Sequence, residues 1–131
     1  MELSDFMFEI EASQADRIIT VRMIGGFTLD GARQCAAAKE AAVERLGPPY
    51  DAHSSLVDVR GLRVQSQDVF AIFTKFVAMT KHKSRRIAIV GGEGTARMQF
   101  RRVAEREPLR DNMRLFSAVA EARDWLAESD E

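Results

Sequence analysis

The chain is poor in cysteine, histidine and proline, with one, two and three of these among 131 residues, and each scarcity removes a class of protein. A lone thiol, Cys35, forms no intrachain disulfide, so the fold cannot depend on covalent cross-links and a reducing cytoplasm is the expected address. His53 and His82 stand at no spacing from a Cys or carboxylate that suggests zinc or iron, so neither metal nor cofactor is expected. No apolar run is long enough for a transmembrane helix, and no charged-then-apolar leader opens the sequence. No linker, repeat or low-complexity tract divides it. Residues 1–131 are therefore expected to form one domain, with 128–131 frayed at its end.

Hydrophobic residues make up 46% and charged residues 30%, the balance of a chain that folds around a core. The net charge of −1 conceals a segregation. Residues 1–59 hold 5 Lys/Arg against 10 Asp/Glu, residues 60–114 hold 13 against 5, and residues 115–131 hold 1 against 5. The basic middle is either a set of solvated helix faces or an anion-facing surface. Its acidic flanks, and the lack of exposed aromatic residues interleaved with the basic ones, argue against nucleic acid as a partner.

The runs Phe6–Glu11 and Arg17–Ile24 are β-rich and flank a polar stretch, which predicts an antiparallel hairpin. Thr28 is placed to cap an alanine-rich helix to about Leu46, with Asp30 in its first turn and Gly47-Pro48-Pro49 as its stop. Ser55–Val59 and Arg86–Val90 read as buried strands, and Arg114–Phe116 as a short last one. Between and after them, helices are predicted from a Ser66 cap to about Lys81, from Thr95 to about Glu107, and from a Ser117 cap through Trp125 and Leu126. The order ββαβαβαβα implies an α/β fold with a mixed sheet of about five strands, about four helices and right-handed crossovers.

At Asp58, Val59-Arg60-Gly61-Leu62 and the serine-opened helix, and again at Arg114-Leu115-Phe116 … Glu121-Ala122 … Trp125-Leu126, the chain resembles the SpoIIAA-like family, related to STAS domains. The resemblance implies a non-enzymatic regulatory or binding module with a protein partner. It also makes Ser66 a candidate phospho-acceptor beside its role as a helix cap. The family's phosphoregulated antagonists carry a serine pair followed by glycine at this place, whereas Gln65-Ser66-Gln67-Asp68 lacks the second serine and the glycine.

Three further features bear on binding. On a 100° wheel, Val69, Phe70, Ile72, Phe73, Phe76, Val77, Met79 and Thr80 occupy about half the helix circumference, wider than the stripe of about 100° that one sheet contact needs. The excess can meet the protein's own core, a second copy in the homodimer that is the expected assembly, or a lipid-like ligand, which would make the chain an apolar-ligand carrier. Gly91-Gly92-Glu93-Gly94-Thr95 follows a buried strand and opens a helix, where backbone N–H groups suit a small anion, with Arg97 beside them. It lacks the Gly-Lys-Ser/Thr ending of a nucleotide P-loop. Cys35, inside the alanine-rich helix, reads as a buried, unreactive thiol.

Overall fold

The computed structural model describes residues 5–63, 66–78, 82–91, 94–105 and 112–128. Strands β1 (Met7–Ser13) and β2 (Ile18–Gly25) pair antiparallel, with Met7 opposite Ile24 and Ser13 opposite Ile18. Arg17 closes their turn in the left-handed region, at φ 54°. Its guanidinium reaches the carbonyls of Gly47 (2.8 Å) and Pro49 (2.9 Å), which lie just beyond the next helix. Cations are favoured there because helix carbonyls end unpaired.

That helix, α1 (Leu29–Leu46), starts where the sequence places it: Thr28 Oγ1 accepts the Gly31 N–H at 2.9 Å. There follow a 3-10 turn (Tyr50–Ala52), β3 (Ser54–Leu62), α2 (Gln67–Ala78), β4 (Ile87–Val90), α3 (Gly94–Ala104), β5 (Met113–Phe116) and α4 (Val119–Leu126). The strands lie in the order β1-β2-β3-β4-β5, with β2 to β5 mutually parallel. Two helix starts differ from expectation. The residue before α4 is Ala118, which makes no side-chain cap hydrogen bond, so Ser117 is not the cap. The third helix begins at Gly94, one residue ahead of the expected Thr95.

Each step along the sheet advances in one direction, so right-handed crossovers put α1, α2 and α3 on one face and leave α4 for the other. The two-residue period of the strands divides the core accordingly. Ile19, Val21, Met23, Val57, Val59, Ile87 and Ile89 meet Ala32, Cys35, Ala42 and Val43 of α1, Val69 and Phe73 of α2, and Phe100 of α3. On the opposite face Ile18, Leu56, Ala88 and Val90 meet Ala122, Trp125 and Leu126 of α4.

The wide apolar stripe of α2 meets its own chain at the positions described. Phe73 is 4% exposed and lies edge-on to Phe27 at 5.5 Å between ring centroids. Phe70 packs edge-on against Phe100 at 5.2 Å, and Phe27 tilts against Phe6 at 5.0 Å. The side chains of Phe76 and Val77 lie outside the described residues, as do Met79 and Thr80. Among the described residues no helix is long and apolar enough to cross a membrane.

Candidate functional site

Parallel α/β sheets gather their binding groups at the carboxyl ends of the strands, and Ser66 lies just beyond the end of β3. Its Oγ accepts the Val69 N–H at 3.2 Å and its carbonyl accepts the Phe70 N–H at 2.9 Å, so it caps α2 as the sequence predicts. The residue is exposed, and Asp68 in the first turn is exposed with it. Replacing Ser66 by Ala is expected to lower stability by about 1 kcal/mol, which thermal unfolding reads as a Tm loss of about 3–5 °C in a chain of this size.

Around that end the side chains are tied to one another. Asp58 is 6% exposed and accepts three hydrogen bonds from Arg60: from the backbone N–H at 3.1 Å, from Nε at 3.0 Å and from Nη2 at 2.7 Å. Those bonds hold the Asp58 carboxyl below its ordinary pKa against the opposing effect of burial. Arg63 grips Asp5 through both carboxylate oxygens, at 2.5 and 2.7 Å, and with the Gly26 N–H holds that exposed carboxyl down at about 2. The amino-terminal entry to β1 is thereby fastened to the exit of β3.

The glycine turn after β4 is committed to the fold at its first residue. Gly91 has φ +93°, donates its N–H to the Phe116 carbonyl at 2.9 Å, and accepts Arg97 Nη1 on its own carbonyl at 3.2 Å. Gly91 and Arg97 therefore meet each other, with Arg60 packed against Gly91. Gly92 lies outside the described residues, as does the side chain of Thr95, while Gly94 opens α3.

A concavity that sequence reasoning missed opens on the α4 face. The eight-residue α4 covers β3 to β5 and Ile18 at the start of β2, and leaves β1 and the rest of β2 uncovered. Glu9, Glu11, Thr20, Arg22, Asp58, Arg60 and Arg123 line a trough of about 300 Å³ there. Leu56 and Val119 complete the lining, so charges of both signs surround a small apolar floor.

Beneath α1 lies a second group of polar residues, also unread in the sequence. His53 is fully enclosed; its Nδ1 lies 2.5 Å from the Tyr50 carbonyl and its Nε2 3.0 Å from Ser84 Oγ. With the proton on Nδ1 donated to that carbonyl, Nε2 accepts from Ser84. Ser84 Oγ also lies 2.6 Å from Ser55 Oγ and accepts Lys39 Nζ at 3.3 Å. The burial of all four residues makes this a link between α1, β3 and the approach to β4. Burial pushes the Lys39 pKa down to about 8 and lowers that of His53.

The Lys39 shift has a sign that can be checked. The unfolded chain holds the Lys39 proton up to about pH 10.4 and the folded one releases it from about 8, so below pH 8 burial of the charge opposes folding. Stability of the wild type, measured relative to Lys39→Met by urea titration, should rise between pH 8 and 10 by about 1–3 kcal/mol. A flat difference would show that Lys39 is charged alike in both states. The Cys35 thiol is buried, as its place in the helix predicts, and at 1% exposed its pKa is pushed up to about 12, which disfavours the nucleophilic thiolate.

The sequence profile of the SpoIIAA-like family matches residues 18–127. No curated protein sequence matches. Among solved structures, an uncharacterized protein of the DUF3478 family with a SpoIIAA-like fold, from Shewanella loihica PV-4, superposes with a TM-score of 0.71 at 22% identity, over 96% of this chain and 97% of that one. An anti-sigma factor antagonist from Mycobacterium paratuberculosis gives 0.62 at 17% identity, over 95% and 96% of the two chains. The unphosphorylated anti-sigma factor antagonist SpoIIAA gives 0.62 at 12% identity, over 94% and 100%.

Proposed function

The chain belongs to the SpoIIAA-like family, and on that premise we propose that it is a non-enzymatic regulatory module that works by binding another protein. The observation that carries this reading is Ser66: an exposed hydroxyl, fixed by the Val69 N–H, at the start of a helix and beyond the end of a parallel strand. Two of the solved structures it resembles are anti-sigma factor antagonists, one of them described in its unphosphorylated form. A partner that docks at the start of α2 would read Ser66 and Asp68 together.

Phosphate on Ser66 would add a charge of about −1.5 to −2 at a helix N-terminus, which tolerates anions, so modification would change recognition without unfolding the helix. The test compares complexes captured from the protein's own cells by the wild type, Ser66→Ala and Ser66→Glu. The same second protein should be retained by the wild type and Ser66→Ala and depleted at least tenfold by Ser66→Glu. Retention equal in all three would remove the start of α2 from the recognition surface.

A further inference from the structure

Glu40 and Glu44 are four residues apart on α1 and therefore stand on one helix face, one turn above the other. His82, four positions beyond the end of α2, is carried back to that face. One carboxylate oxygen of each glutamate and one imidazole nitrogen all lie within 4.8 Å of one another. Among the described residues neither carboxylate oxygen of Glu40 has a hydrogen-bond partner, and both are shut off from solvent. A buried carboxylate without donors is costly; Lys39, its neighbour in sequence, attracts the Glu40 charge through space while its Nζ lies 3.3 Å from Ser84 Oγ. The His82 ring is stacked on Tyr50, at 4.3 Å between centroids and 24° between planes, which fixes the plane in which its nitrogens can donate to an ion.

We propose that Glu40, Glu44 and His82 form a binding site for one divalent transition-metal ion of the zinc class. Two carboxylates and one imidazole are a borderline donor set, suited to Zn²⁺, Co²⁺ or Fe²⁺ over Ca²⁺ or Mg²⁺, which prefer oxygen alone. Ligand bonds of about 2.0–2.2 Å in a tetrahedral shell put donor atoms about 3.3 Å apart, so closing the site takes only side-chain rotation. Glu44 is exposed and gives the ion its way in, while Glu40 and His82 are half-buried. Three protein ligands leave a fourth position for water or for a group from a partner. The ion ties the segment that follows α2 to the last two turns of α1. It thus fastens the far end of the helix whose start carries Ser66.

The test uses tag-free full-length protein stripped with chelator and titrated calorimetrically with ZnCl₂, and in parallel with CoCl₂ while visible absorption is followed. One equivalent should bind saturably, and the Co²⁺ spectrum should show four- or five-coordinate bands. His82→Gln, at a half-buried position, and Glu44→Gln, at an exposed one, should each weaken binding at least about tenfold. Should either variant fold poorly, the histidine ring resonances of the wild type decide: Zn²⁺ should shift those of His82 and leave those of His53 in place. No saturable one-equivalent binding, affinity unchanged in both variants, or an unmoved His82 ring would each overturn the site.

Discussion

Phe73→Ala is expected to lower the unfolding free energy by about 3–5 kcal/mol, the range for removing a buried phenyl ring from a well-packed site. A domain of ordinary stability has about 5–15 kcal/mol in all, so the variant should be close to unfolding at physiological temperature. The size follows from position. Phe73 is 4% exposed and touches Phe27 and Phe70, so its ring is the middle of a run of aromatic contacts from Phe6 to Phe100 that joins the start of α1, α2 and α3. Little backbone can collapse into a hole bounded by three helices. Urea denaturation gives the value. A loss below about 1 kcal/mol, with a change in subunit number, would mean instead that the ring faces a second copy.

Gly91→Ala should be nearly as damaging, by about 2–4 kcal/mol. At φ +93° an L-residue is already strained, and its Cβ would lie 2.2 Å from Arg60 Cγ and 2.9 Å from Arg60 Cα. The Arg60 side chain cannot simply swing aside, because two of its nitrogens are bonded to Asp58. Gly47→Ala is the matched control: its φ is +80°, but no atom lies within 4 Å of the added Cβ. It should cost only the backbone term, about 1–3 kcal/mol for a conformation, φ 80° and ψ 173°, that is nearly confined to glycine. The difference between the two variants isolates the crowding of Gly91 against Arg60. Equal losses would mean that Arg60 yields freely.

These two sites also show what a single sequence reveals. The hairpin, α1 and the buried strands are legible because their signals are local: alternation in Phe6–Glu11, a threonine one residue ahead of Leu29, and glycine and proline after Leu46. The width of the apolar stripe on α2 is legible for the same reason. What covers it is not, because Phe27 and Phe100 reach Phe70 and Phe73 only through the order of the strands. The start of α4 misleads for a related reason. Ser117 has the right chemistry, but α4 is held by Trp125 and Leu126 against Leu56 and Val90, and packing of that kind makes a side-chain cap dispensable.

The polar groups are the least legible part. Lys39 and Ser84 are 45 residues apart yet within hydrogen-bond distance, and no spacing rule connects them. The trough on the open face depends on α4 leaving β1 and most of β2 uncovered, so Glu9, Arg22 and Arg123 read separately as surface charges. Glu40 and Glu44 form an ordinary pair at helical spacing until the approach to β4 brings His82 beside them. Ser66, by contrast, needed only its neighbours to be recognised as a cap.

Native mass spectrometry of the untagged protein, taken gently from its own cells, is the most direct examination of the idea that this fold acts by holding another protein. The account predicts a complex of fixed stoichiometry with a second, different polypeptide, lost when Ser66 is replaced by Glu. The bare chain alone under every growth condition, or the chain carrying only an extractable lipid, would contradict it.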